Sequence, residues 1–130
     1  MSTTQTVIEK PWGCEVILRH TDTYVVKRLC VKAGCRLSLQ FHRFKSETLQ
    51  LGRGCAFLEI HDGGVVTDHY LDRAVHVPPG TVHRVIAVED SEIMEVSTPE
   101  LDDVVRLEDD YNRIPAAREE VSVVPVPALA

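Results

Sequence analysis

No stretch of these 130 residues approaches the roughly 18 consecutive apolar residues that a membrane-spanning helix needs. The first ten residues, Met1 to Lys10, are polar and lack the apolar core of a signal peptide. Both absences argue against a membrane partner and make a cytoplasmic location the expectation. There is also no basic stripe. The formal net charge is −6, and the segment from Glu100 to Glu120 holds eight acids against three bases. Such a chain repels phosphate backbones, so nucleic acid is not the expected partner. Cysteine is scarce. Cys14, Cys30, Cys35 and Cys55 form no Cys-x-x-Cys pair, which leaves a thiolate zinc knuckle without support. Without a secretory signal, disulfides are disfavoured too. The cysteines are expected to be small buried apolar residues, with a catalytic thiol the lesser reading.

What remains is an ordinary globular composition, 44% apolar and 26% charged, of a length that suits one domain. The middle of the chain reads as β-structure. Strand candidates are Tyr24–Val31, Arg36–His42, Thr48–Leu51, Ala56–Ile60, Val65–Leu71, Val75–Val77, His83–Val88 and Glu92–Ser97. Turn signals separate them: Ala33-Gly34, Gly52-Arg53-Gly54, Asp62-Gly63-Gly64 and Pro78-Pro79-Gly80. Short strands at this spacing predict an all-β sandwich or barrel. No long segment of helical period precedes residue 100. Asp102–Tyr111 reads equally as a short helix or an irregular strand. The sequence predicts one domain over residues 1–113 and a loosely ordered tail over 114–130.

One constellation carries chemistry. Gln40, His42, Glu47 and His83 offer an amide oxygen, two imidazole nitrogens and a carboxylate, a sensible set of ligands for one divalent transition metal. Residues two apart on a strand share a face, so Gln40 and His42 can reach one point. The bland reading of the same strand makes Leu37, Leu39 and Phe41 the core face and leaves Gln40 and His42 wet.

The wider string is Gly34, five residues, Gln40, one residue, His42, four residues, Glu47, six residues, Gly54, followed later by Pro78, Gly80 and His83. It resembles the two motifs of the cupin superfamily, small β-barrels of jelly-roll type. The resemblance implies that Gln40, His42, Glu47 and His83 bind metal. It also implies that Leu37, Leu39 and Phe41 point outward. An apolar row of that kind needs cover from the N-terminal strand near Val7–Ile8 or from a second subunit, hence an expected homodimer. Three further segments, Lys10-Pro11-Trp12-Gly13, Val26-Lys27-Arg28-Leu29 and Leu37-Ser38-Leu39-Gln40-Phe41-His42, look like the cupin domain of type II phosphomannose isomerases. Gln-x-His is that family's own variant. Lys45 stands where the family commonly has Arg. Asp102–Arg113 resembles its closing motif, with Asn112 where Gly is usual.

This resemblance implies a metal-dependent isomerase or epimerase acting on a sugar phosphate or a related hydroxy-carbonyl compound. Zinc is the first choice of ion, with manganese, iron, nickel or cobalt as alternatives. His76, Glu95 and Glu108 are the candidate bases, unranked. Lys27, Arg84, Arg106 and Arg113 are candidates for a polyhydroxylated or phosphorylated small-molecule substrate, with the last two ranked highest. Two other readings stay open: a different metal-cupin enzyme (dioxygenase, lyase or cyclase), and a non-catalytic metal- or sugar-binding module.

Overall fold

The computed structural model describes residues 5–114, so the expected tail from residue 115 onward lies outside the described residues. Every element among them is a strand: β1 Thr6–Lys10, β2 Gly13–His20, β3 Val25–Val31, β4 Leu39–Phe41, β5 Glu47–Arg53, β6 Ala56–Asp62, β7 Val65–Tyr70, β8 Val75–Val77, β9 Val82–Ala87, β10 Ser91–Ser97 and β11 Val105–Glu108. They form two antiparallel sheets, one in the order β1-β2-β3-β10-β5-β8 and the other β11-β4-β9-β6-β7. Strands adjacent in sequence repeatedly lie in opposite sheets, which is jelly-roll wrapping.

Alternation along each strand decides what enters the interior. In β3, Val25, Lys27, Leu29 and Val31 are buried, while Val26, Arg28 and Cys30 are partly exposed. The inner faces change character part-way along. Leu29 and Val31 on β3, Leu49 on β5, Val85 and Ala87 on β9 and Ile93 on β10 join Trp12, Leu37, Leu58, Leu71 and Val77 in one apolar core. Burying each large side chain there is worth about 1.5–3 kcal/mol. One step along the same strands, the inward positions become Lys27, Glu47, His83 and Glu95, all buried. The barrel interior thus has an apolar region and a region of buried polar and charged side chains.

The two-residue turn at Gly63-Gly64 joins β6 to β7 as its sequence predicts. Asp102–Tyr111 resolves into the short strand β11, with a bulge between Arg106 and Glu108. Strand β2 is absent from the pattern reading because Glu15 occupies an inward position and interrupts the apolar alternation. Glu15 is fully buried there and ion-paired to Lys27 at 3.1 Å.

One expectation fails in an instructive way. Leu37, Leu39 and Phe41 do not form a single outward row. Residues 37 and 38 lie outside any strand, between an isolated bridge at Arg36 and the start of β4. Parity slips across that break. Leu37 is 3% exposed and packs in the core, and Leu39 is 6% exposed. Two members of that row, Leu37 and Leu39, are therefore covered within the chain, while Phe41 is partly exposed.

Candidate metal centre

The cluster forms where the two sheets face each other. Glu47 opens β5 in the larger sheet, and His83 lies on β9 in the smaller one. Gln40 on β4 is the register partner of His83, so both side chains leave the same face. His42 follows directly after β4. The Pro79-Gly80 turn delivers β9 to this position. Gly80 has φ of +84°, which only glycine adopts freely, and its N–H donates to the His42 carbonyl at 2.7 Å.

His83 Nε2 lies 2.9 Å from Glu47 Oε2, and His42 Nε2 lies 3.4 Å from the same oxygen. Ligand atoms of His42, Glu47 and His83 all fall within 4.8 Å of one another, and all three residues are buried. Both imidazoles are anchored from behind. His42 Nδ1 donates to the Asp103 carbonyl at 2.6 Å, and His83 Nδ1 donates to the Thr81 carbonyl at 2.8 Å. Those bonds fix the tautomer and aim each Nε2 at Glu47. His42 Nε2 is buried and makes no hydrogen bond among the described residues. A buried, inward-aimed acceptor without a donor fits a metal ligand. So do the separations, since neighbouring ligands around a small divalent ion sit about 3 Å apart when its bonds are about 2.1 Å. Gln40 Oε1 accepts from Ser38 Oγ at 2.6 Å, which holds the amide in place.

Glu47 is embedded in positive potential. Burial alone would raise its pKa, but Lys45 and the nearby His42 and His83 rings hold it well below the usual carboxylate range. Burial would also lower the pKa of His83; its contacts with Glu47 outweigh that and raise it. Lys45 Nζ bridges Glu47 Oε1 at 3.3 Å and Glu95 Oε2 at 3.0 Å. Glu95 therefore lies in the interior, one cation away from the candidate metal ligands.

The other candidates disperse. His76 points from the outer face of β8, is exposed, and meets Thr48 Oγ1 at 3.2 Å. Glu108 is 67% exposed. Neither reaches the cluster: strand parity turns His76 outward on β8, and the bulge between Arg106 and Glu108 turns Glu108 away on β11. Arg84, next to His83, necessarily faces the opposite side of β9; its Nε donates to the Leu37 carbonyl at 3.1 Å, and its Nη1 approaches Glu108 at 3.6 Å. Lys27 is interior, but its ammonium faces Glu15. Arg106 is the register partner of Gln40 and so shares the inward face. Burial and then the neighbouring Arg113 lower its pKa to about 10. Arg113 is gripped by Asp109, with Nε–Oδ2 at 2.8 Å and Nη2–Oδ1 at 3.0 Å, and lies over the Tyr111 ring.

Sequence reasoning missed two residues. Asp103 accepts His42 through its carbonyl, and its carboxylate accepts the N–H groups of Arg43, Phe44 and Lys45 at 2.6–2.9 Å. Lys10 is 7% exposed; burial, opposed by Glu15 but reinforced by Arg106, Lys27 and Arg113, lowers its pKa to about 8. The acidic pair in the closing motif and the Lys of Lys10-Pro11-Trp12-Gly13 were the available signals. The cysteines are free, as expected, but partly exposed rather than buried.

The sequence profile of the family described as "Mannose-6-phosphate isomerase C-terminal" matches residues 1–109. The chain belongs to that family. Relatives within reach of the mannose-6-phosphate isomerase C-terminal family include the xanthan biosynthesis protein XanB of Xanthomonas campestris pv. campestris strain B100, 32% identical over 111 residues that cover 82% of this chain. The mannose-1-phosphate guanylyltransferase ManC of Salmonella typhimurium strain LT2 is 32% identical over 112 residues, again 82% of this chain. In each case the match spans 23% of the relative's length. Among solved structures, the capsular polysaccharide assembling protein CapF of Staphylococcus aureus superposes with a TM-score of 0.68 at 18% identity, covering 82% of this chain and 35% of that one. The fold is thus that of an all-β cupin. No helix among the described residues is long and apolar enough to cross a membrane.

Proposed function

We propose that this cupin binds one divalent transition metal through Gln40, His42, Glu47 and His83 and isomerises a sugar phosphate, an aldose–ketose interconversion of the mannose 6-phosphate type. The observation that carries this reading is the buried His42–Glu47–His83 cluster, with both imidazoles anchored at Nδ1 and aimed at one carboxylate. Membership of a family described by mannose 6-phosphate isomerisation supports the choice of substrate class.

When bound, the ion supplies a Lewis acid for charge developing on adjacent carbonyl and hydroxyl oxygens. The rest falls to the protein. Glu95 takes the role of base: it is the one sequence candidate of the three that lies inside the barrel, and Lys45 holds its carboxylate in place. A proton removed from the carbon next to the carbonyl would rest on Glu95 and return to the neighbouring carbon. Arg106, inward beside Gln40, with Arg113 and Lys10, supplies positive charge for a phosphate. The apolar half of the barrel closes the far end to water.

Elemental analysis of purified wild type beside Gln40→Ala and His83→Ala tests the ligand set. Wild type should retain about one equivalent of zinc or manganese, and both variants should lose it; retention by both rejects the assignment. Incubation of the metal-loaded protein with fructose 6-phosphate in deuterium oxide tests the reaction. Metal-dependent deuterium incorporation supports isomerisation. Oxygen consumption, or ligand binding without exchange, would replace it with the oxygenase or the binding-module reading.

A further inference from the structure

Cys14 and Cys30 are 16 positions apart in sequence, yet β2 and β3 place them directly opposite each other. Their row continues on both sides, with Glu9 across from Cys14 and Glu92 across from Cys30. All four lie on the outer face of the larger sheet, because the inward positions beside them belong to Glu15 and Leu29. The same residues line a cavity of about 360 Å³ that also receives Lys32 and Arg53 and does not touch the metal cluster. Directly opposed residues of an antiparallel pair have Cα atoms about 4.5–5.5 Å apart, inside the range a disulfide accepts. The register pairing puts both side chains on the same face of the sheet, so the two thiols are cross-strand neighbours. Both cysteines are free and partly exposed.

We infer that Cys14 and Cys30 form a dithiol modification site, oxidised reversibly to a β2–β3 disulfide by a small zwitterionic disulfide entering that cavity. In the first step one cysteine, as thiolate, attacks a sulfur of the small disulfide. A mixed disulfide forms and one small thiolate leaves. The second cysteine then attacks the protein-bound sulfur, closes the Cys14–Cys30 bond and expels the other small thiolate. The protein loses two electrons and two protons, and the small disulfide gains them as two thiols. Lys32 and Arg53 beside Glu9, Asp90 and Glu92 give the cavity both signs of charge, which suits a ligand carrying amino and carboxylate groups. Burial and then the neighbouring Cys30 raise the Cys14 pKa, and the thiolate is the attacking form. Closing the loop constrains the unfolded chain, so the oxidised form melts several degrees higher.

The test is incubation of the whole folded chain with glutathione disulfide, followed by alkylation and intact-mass measurement. The expected product carries two fewer alkylatable thiols, with a peptide linking position 14 to position 30, a raised Tm, and full reversal by dithiothreitol. In Cys14→Ser the reaction should stop at a glutathione adduct on Cys30. Four alkylatable thiols after prolonged exposure would overturn the inference. So would a bridge to Cys35 or Cys55, or a bridge that forms only after unfolding in urea.

Discussion

Lys45 Nζ sits between two carboxylates with 3% of its side chain exposed. Burial disfavours the charge on Lys45, yet Glu95 and Glu47 raise its pKa, so it stays an ammonium. Removing it leaves two buried carboxylates with like charge. Lys45→Met should lower the unfolding free energy by about 3–5 kcal/mol without metal, and saturating zinc should restore part of that loss. Urea melts with and without zinc measure both; equal stability of variant and wild type would refute the bridging role. Asp103 acts through the backbone instead. Burial would raise its pKa, but the N–H groups of Arg43, Phe44 and Lys45 lower it below the ordinary 3.8. Its contribution is therefore complete above about pH 4 and lost as pH falls through the depressed value. Asp103→Ala should cost about 1–2 kcal/mol at pH 7, discounted for partial exposure, and the gap from wild type should close below pH 4 in denaturant titrations. Asn112 is the described non-glycine residue with positive φ, at 58°. The family's usual glycine at this position thus has a conformational cause. Asn112→Val should destabilise by about 1 kcal/mol while Asn112→Gly is nearly neutral, as thermal melts would show.

Among the strands, the segment from Arg36 to His42 was the hardest to read. Perfect alternation in the residue types suggested one continuous strand with one apolar face. The interruption at residues 37 and 38 gives Leu37 to the core and sets Gln40 beside His83, so residues of opposite parity both enter the barrel. Leu37→Ala should therefore cost about 2–5 kcal/mol of unfolding free energy, the loss for a packed core leucine. A cost near zero would return Leu37 to the surface. Most other strands were legible because hydrophobic period two is a local signal, and turn glycines mark its ends. Strand β2 was not, because Glu15 looks like a surface residue until its buried ion pair with Lys27, at 3.1 Å, is found.

Taken together, the barrel is an interior shared between an apolar core and a chain of alternating charges. Those charges run from Lys10, Glu15 and Lys27 to Glu95, Lys45 and Glu47. Binding a divalent ion at the end of that chain should raise Tm in wild type and leave His83→Ala unmoved, since only the folded state assembles the ligands. From the sequence alone came the all-β class, most strand positions and the spacing of Gln40, His42, Glu47 and His83. These depend on patterns within a few residues or on a motif read in order along the chain. Tertiary structure decided the rest: that Glu95 faces inward while His76 and Glu108 face away, that Arg84 holds the Leu37 carbonyl, that Asp103 holds His42, and that Cys14 lies across from Cys30. Each of those facts depends on which strand lies beside which and on one-residue slips in register, and such slips turn a side chain to the other face without changing the local pattern.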